Sequence, residues 1–150
     1  MANIPMSSAS RPILLADDNR SDADLFGRAL RRLGFQNPFH VVHSGEEVIN
    51  YLRGEGQYAN RAKFPMPQLL LLDSNMCGMS GLEVLQWVRL RREFSALPVI
   101  IFGGSGNTAE EAAAYRLGAA AYHRKPALAE EFDRVVKRIA ELWLLAGDGL

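Results

Sequence analysis

Residues 68–76 read Gln-Leu-Leu-Leu-Leu-Asp-Ser-Asn-Met, an uninterrupted apolar run that ends in Asp73 and a turn. The run does not alternate polar and apolar residues, which is typical of a strand covered on both faces by helices. A second apolar run, residues 12–16, ends in Asp17 and Asp18. Two buried strands that each end in aspartate predict an α/β domain with an acidic edge.

Short apolar segments alternate with segments of helical spacing along the rest of the chain. Predicted strands cover residues 12–16, 39–43, 68–72, 98–102 and 119–123, and a predicted helix follows each of them, the last four at 46–52, 82–93, 108–117 and 128–145. Ser80 is expected to cap the third helix. We expect residues 54–67, with two glycines and two prolines, to form a long polar loop. This alternation predicts a doubly wound, five-stranded parallel sheet with five helices.

Length and composition fit a single domain. The chain has 150 residues, of which 48% are apolar. We expect one α/β domain at residues 11–146, a disordered tail at 1–10 and a short tail at 147–150. No separate output domain is expected.

Charge and cysteine content exclude several classes of protein. Lys plus Arg number 17 and Asp plus Glu number 17, so the zero net charge gives no reason to expect nucleic acid or a membrane surface as a partner. The single Cys77 excludes an internal disulfide. No segment approaches the ~20 apolar residues of a membrane span, and the first residues do not form a signal peptide. The sequence therefore predicts a soluble, cytoplasmic protein.

Five residues that are far apart in the chain are expected to meet, because the carboxyl ends of parallel strands share one edge of the sheet. They are Asp17, Asp18, Asp73, Gly103 and Lys125. Each alone could be a helix cap or an ordinary loop residue. Together, three carboxylates predict a Mg²⁺ site, since Mg²⁺ prefers oxygen ligands, and the lysine would pair with a phosphate oxygen. The combination predicts transfer of a phosphoryl group to an aspartate.

Three segments, Ile13–Asn19, Leu69–Met76 and Gly118–Pro126, resemble the receiver domains of bacterial two-component response regulators. The resemblance covers residues 11–145 and implies a flavodoxin-like, CheY-like fold. It also implies a partner, a sensor histidine kinase that supplies the phosphoryl group in a phosphorelay.

The resemblance implies a role for most residues of the acidic edge. Asp73 would accept the phosphoryl group and contact the metal. Asp17 and Asp18 would hold Mg²⁺ directly or through water, and Asn75 would add its backbone carbonyl. Lys125 would pair with the phosphate.

The main departure of the chain from the family lies at the end of the fourth strand. Receivers place a Ser or Thr at the end of the fourth strand, where its hydroxyl bonds the phosphoryl group and moves inward on activation. An aromatic residue, here Tyr122, then changes rotamer. Counting along the chain puts Gly103 at the Ser/Thr position, followed by Gly104 and Ser105. The peptide bond before Pro126 would be cis, as is usual in the family.

Three interpretations of Gly103 remain open at this level. In the first, Ser105 folds back and supplies the missing hydroxyl. In the second, backbone N–H groups of the glycine-rich loop bind the phosphoryl oxygens. In the third, phosphorylation persists with weaker coupling to Tyr122, or the domain is a pseudo-receiver that signals by binding. The simplest alternative is a plain glycine-rich turn.

The last predicted helix has more apolar residues than one core-facing stripe needs. The stripe expected to face the sheet is Leu128, Phe132, Val135, Ile139 and Leu142. The apolar residues outside it are Val136, Trp143, Leu144 and Leu145. The Asp-Asp-Asn start, the Asn75-Met76 pair and this helix end are most similar to the small regulators of phytochrome-type histidine kinases. Because those regulators dimerise through this region, we predict a homodimer with a contact surface formed by Val136, Trp143 and Leu144.

The leading prediction is a single-domain response regulator phosphorylated on Asp73, with altered switching because of Gly103. It would not be an enzyme beyond self-catalysed phosphorylation and dephosphorylation. The alternative is a degenerate pseudo-receiver that binds proteins without phosphorylation. An aspartate-nucleophile phosphatase is disfavoured, because the general-acid position two residues after the nucleophile is Asn75. A nucleotide site in residues 103–108 is also disfavoured, because the loop lacks the lysine and spacing of a P-loop.

Overall fold

Five parallel strands form one sheet in the order β2-β1-β3-β4-β5. The strands are β1 (Ile13–Ala16), β2 (Phe39–Val42), β3 (Leu69–Asp73), β4 (Val99–Gly103) and β5 (Ala121–Arg124). This computed structural model describes residues 11–104 and 108–145, without the side chain of residue 145. The predicted tails at 1–10 and 147–150, and Ser105, lie outside the described residues. The predicted fold class is confirmed.

Five α-helices connect and follow the strands: α1 (Arg20–Arg32), α2 (Gly45–Arg53), α3 (Gly81–Arg89), α4 (Thr108–Arg116) and α5 (Ala129–Ile139). Side-chain caps fix where α1, α2 and α3 begin, with Ser44 accepting from the Glu47 N–H at the start of α2. The Asn19 side chain accepts a hydrogen bond from the Asp22 N–H at the start of α1. Ser80 and Glu83 form a reciprocal capping box at the start of α3, which confirms the predicted cap. A π-helical segment, Ala140–Leu145, continues α5.

The sheet reverses its strand order between β1 and β3, because the chain runs outward from β1 to β2 and then returns to the other side of β1. Ala16 lies beside Leu72, and Asp73 lies beside Phe102. The residues after β1 and at the end of β3 are therefore brought to the same edge. Ligand sites of open α/β sheets lie at such a reversal.

Two apolar layers cover the two faces of the sheet. Alternate residues of the central strands, such as Leu70 and Leu72, pack with α2, α3 and α4. Their neighbours, such as Leu71, pack with α1 and α5. All five residues of β3 are buried, as the unbroken apolar run predicts.

The face of α5 that contacts the sheet differs from the predicted stripe. Val136 and Leu144 are buried in the core at 0% and 3% exposure, whereas Leu128 and Leu142 are each 54% exposed. Apolar residues occur at both 135 and 136, so helical spacing alone could not choose between them. In the structure Val136 turns inward with Phe132, and the wider turns of the π-helical segment bring position 144 rather than 142 onto the core. The prediction that Val136 and Leu144 lie outside the core is wrong, and Trp143 is half-buried against the same core.

The segment predicted as a polar loop contains part of the core. A single 3-10 turn, Gly56–Tyr58, places the Tyr58 ring against Tyr51 with 5.0 Å between centroids. Phe64 packs on both rings. The helices of the described residues are all too short or too polar to cross a membrane.

Candidate functional site

Three carboxylates meet at the carboxyl ends of β1 and β3, as predicted. One oxygen from each of Asp17, Asp18 and Asp73 lies within 4.8 Å of the other two. Asp17 and Asp73 are buried, while Asp18 is exposed. Three negative charges this close repel one another, and the oxygen donors suit a hard divalent cation.

Local turns orient the two buried carboxylates. The Asn19 N–H donates to Asp17 Oδ1 at 2.9 Å, and the Asn75 N–H donates to Asp73 Oδ1 at 3.1 Å. Each carboxylate therefore keeps its other oxygen for a second partner. That partner is Lys125, whose Nζ lies 2.9 Å from Asp17 Oδ2 and 3.2 Å from Asp73 Oδ2.

A fourth carboxylate of this site, Asp22, was not predicted from the sequence. Its Oδ2 lies 3.0 Å from Lys125 Nζ. The sequence contains only a weak signal for Asp22, because the helix dipole alone makes acidic residues common in the first turn of a helix. The His43 ring was also missed, and its Nδ1 lies 3.0 Å from the backbone carbonyl oxygen of Asp17.

The charges of the site alter the pKa values of Lys125 and Asp73. Burial lowers the pKa of the Lys125 ammonium, but bonds to Asp17 and Asp22 outweigh burial and raise it overall. Burial raises the pKa of Asp73 from 3.8 to about 6, against the opposing effects of the Asn75 N–H and Lys125. A carboxyl with this pKa exchanges its proton close to neutral pH.

The raised pKa of Asp73 predicts a pH-dependent stability of the metal-free domain. The folded state binds this proton more tightly than the unfolded chain, so the stabilisation is complete below pH 3.8 and is lost as the pH rises through about 6. We expect Asp73 to contribute a loss of at most about 3 kcal/mol of unfolding free energy over this range, measured in EDTA by urea denaturation as the difference between the wild type and Asp73→Asn. Asp73→Asn should remove this part of the pH dependence. An unchanged profile in that variant would contradict the assignment.

Gly103 lies at the end of β4 and leaves space that Tyr122 occupies. A Cβ built on Gly103 would overlap the Tyr122 hydroxyl oxygen and lie 2.6 Å from Glu110 Oε1. The Tyr122 hydroxyl donates a hydrogen bond to Glu110 Oε1 at 2.6 Å. The tip of the tyrosine thus fills the position of the missing side chain and connects β5 to α4. Burial, followed by the bond to Glu110, raises the pKa of Tyr122.

Two other residues predicted to belong to the site, Asn75 and Gly104, are exposed beside it. The backbone N–H of Lys125 donates to the Gly103 carbonyl oxygen at 2.8 Å, which aligns the loop after β5 with the end of β4. The bond between Lys125 and Pro126 is trans, so the cis expectation is wrong.

The family model for the response regulator receiver domain matches residues 13–137. The chain belongs to the response regulator receiver domain family. Its acidic edge is therefore the position at which members of a family of signalling proteins carry their divalent metal.

Two individual relatives match this receiver domain over most of their own length. It is 32% identical to the probable methanogenesis regulatory protein FilR2 of Methanothrix harundinacea over 135 residues, which cover 88% of this chain and 83% of that protein. It is 28% identical to the response regulator Rcp1 of Synechocystis over 142 residues, covering 93% and 95% of the two chains.

Solved structures of related proteins have the same fold. The structure of the phosphorylated cyanobacterial phytochrome response regulator RcpA superposes with a TM-score of 0.83 at 32% identity, covering 90% of this chain and 94% of that one. The Mn²⁺-bound form of Rcp1 superposes with a TM-score of 0.81 at 27% identity, covering 89% and 94%.

Proposed function

We propose that this receiver domain accepts a phosphoryl group on Asp73 from the phosphohistidine of a sensor histidine kinase. The observation that carries the proposal is the position of Asp73, which is buried between the Asp17–Asp18 pair and Lys125. A carboxylate oxygen of Asp73 would form the new bond to phosphorus, and the bond from phosphorus to the kinase imidazole would break with its electron pair left on nitrogen. Similarity to RcpA and Rcp1 supports a kinase of the phytochrome type.

The carboxylates of Asp17, Asp18 and Asp73, with the backbone carbonyl of Asn75, would hold a Mg²⁺ ion. Four carboxylates, those of Asp17, Asp18, Asp22 and Asp73, lie at the site with the ammonium of Lys125 and leave an excess of negative charge, which fits a divalent cation. When bound, the ion neutralises charge on the carboxylates and on the phosphoryl oxygens. Lys125 would donate a hydrogen bond to a phosphoryl oxygen.

We further propose that Gly103 changes how phosphorylation is passed to the surface. With no hydroxyl at this position, Tyr122 already lies inward and bonds Glu110 of α4. A phosphoryl group on Asp73 therefore has no side chain at 103 through which to move the tyrosine. The bond between Tyr122 and Glu110 therefore favours the third interpretation of Gly103, in which coupling is altered, over a conventional switch. The same bond favours the pseudo-receiver as the second candidate function.

Phosphorylation is tested with acetyl phosphate and Mg²⁺, using intact-protein mass spectrometry. We expect the wild-type domain to gain one phosphoryl group and Asp73→Asn to gain none. The matched control is Asp24→Asn, the same change at an exposed residue of α1, which should be phosphorylated like the wild type. If the wild-type domain gains no mass at saturating Mg²⁺, the pseudo-receiver replaces this proposal.

We propose that the domain forms a homodimer through the exposed end of the last helix. Leu142 replaces Val136 and Leu144 as the proposed contact residue of the dimer, because it is exposed beside the half-buried Trp143. Leu142→Arg is expected to convert the dimer to a monomer in analytical ultracentrifugation. Leu90→Arg, at an exposed leucine that ends α3, should leave the dimer intact. A wild-type monomer at tens of micromolar concentration would contradict the dimer.

A further inference from the structure

Lys125 is bonded to more carboxylates than a phosphate-pairing role requires. Its ammonium has three N–H groups. Three carboxylate oxygens surround it, at 2.9 Å from Asp17, 3.0 Å from Asp22 and 3.2 Å from Asp73. Each N–H therefore has its own acceptor, and the side chain is fixed between β1, β3 and α1.

The acceptors of Lys125 and the carboxylates that could hold a cation are overlapping but different sets. Asp17 and Asp73 belong to both sets, and Asp18 belongs only to the cation cluster. Among the described residues, Asp22 is the Lys125 partner that stands outside the cluster. If a divalent cation occupies the cluster, Asp17 and Asp73 must bind both the cation and Lys125. Asp22 then binds Lys125 alone.

Asp22 is the partner of Lys125 that belongs to α1. It lies in the first turn of the helix, where the helix dipole favours a negative charge. Its backbone N–H is bonded to the Asn19 side chain at 3.1 Å. The side chain is 22% exposed and that of Lys125 is 17% exposed, so water competes little for their contact. Lys125 itself follows β5 in a loop, and Asp22 connects that loop to α1.

We propose that Asp22 is a positioning residue that anchors Lys125 when Asp17 and Asp73 are engaged by a cation and a phosphoryl group. This inference rests on the proposed phosphorylation of Asp73. Lys125 turns about its contact with Asp22, and the N–H that it directs at Asp73 in the metal-free domain becomes available to a phosphoryl oxygen. Without the anchor, Lys125 has no carboxylate of its own once the cation is bound.

The first test follows the Lys125 ammonium by NMR in EDTA and in saturating Mg²⁺, without any phosphoryl donor. In the wild type we expect slow exchange of its protons with water in both conditions. In Asp22→Asn we expect exchange in Mg²⁺ to be about tenfold faster, because a charged hydrogen-bond acceptor has been replaced by a neutral one. Asp22→Glu should restore slow exchange in part, and Asp24→Asn should behave as the wild type. Equal exchange in Asp22→Asn and wild type overturns the proposal, whether or not Asp73 is phosphorylated.

The second test is a double-mutant cycle with beryllofluoride at saturating Mg²⁺, read from amide chemical shifts. Asp22→Asn is expected to raise the half-saturating beryllofluoride concentration about tenfold in the wild-type background. In a Lys125→Met background it should have no further effect, because the group that it positions is gone. Additive effects would show a purely structural role, and tighter beryllofluoride binding in Asp22→Asn would show that Asp22 competes for Lys125. Either result overturns the proposal. If the wild type does not bind beryllofluoride, the proposed function is contradicted. The proton-exchange test then decides whether Asp22 anchors Lys125.

Discussion

Gly103→Ala is expected to expel the Tyr122 hydroxyl from the end of β4 and to break its bond to Glu110. The added Cβ would overlap the hydroxyl oxygen and lie 2.6 Å from Glu110 Oε1. If the ring stays, overpacking costs about 1–3 kcal/mol, so rotation of the ring towards solvent is the favourable response. The result should be a free Tyr122 and an α4 that is no longer tied to β5 through this pair.

The ring position is measured by nuclear Overhauser effects between Tyr122 and the α4 side chains, together with the free energy of unfolding. Gly104→Ala is the matched control, because a Cβ at Gly104 would meet no heavy atom within 4 Å. Tyr122→Ala should cost less stability in the Gly103→Ala background than in the wild type, because the tyrosine has already lost its contact with Glu110 there. Unchanged contacts between Tyr122 and α4 in Gly103→Ala would rule out the steric explanation.

Lys125→Met is expected to destabilise the metal-free domain by about 3 kcal/mol or more. The loss of one member of a buried ion pair leaves uncompensated charge, and here three carboxylates lose their shared cation. The Lys125 side chain is only 17% exposed, so water replaces it poorly.

Urea denaturation in EDTA and in excess Mg²⁺ measures this effect. A divalent cation supplies positive charge to the same carboxylates, so Mg²⁺ should stabilise Lys125→Met more than it stabilises the wild type. Lys137→Met, at an exposed position of α5, should be neutral in both conditions. A small loss in EDTA, or equal stabilisation of both proteins by Mg²⁺, would contradict this account of the charges.

Much of the fold could be predicted because its signals are local. An unbroken apolar run such as Leu69–Leu72 must be covered on both faces, and this alone favours a parallel sheet with helices on either side. The site followed from the same logic, since aspartates at the ends of β1 and β3 must meet if those strands are parallel neighbours. Asp17, Asp18, Asp73 and Lys125 are accordingly predictable from the sequence.

Asp22 and Glu110, which the sequence did not single out, reach the site only because their helices pack beside it. Asp22 reaches Lys125 because α1 lies beside the loop after β5, and Glu110 reaches Tyr122 because α4 lies against the end of β4. The contact between Asp22 and Lys125 spans more than one hundred residues of chain. No local pattern distinguishes such a residue from an acidic residue that only favours the start of its helix.

The buried face of α5 is also predicted by the sequence only in part. Helical spacing predicted an amphipathic helix, but apolar residues at 135 and 136 are both compatible with one face. Packing against α1 and the sheet places Val136 in the core, and the π-helical segment places Leu144 there.

The sequence by itself determined the sheet, the acidic edge and the absence of a hydroxyl at Gly103, because each depends on residue type and on order along the chain. Only the tertiary structure decided what fills the space at Gly103 and what holds Lys125. Those answers depend on Tyr122 of β5, bonded to Glu110 of α4, and on Asp22 of α1, and such contacts follow from the packing of these elements rather than from any spacing in the chain.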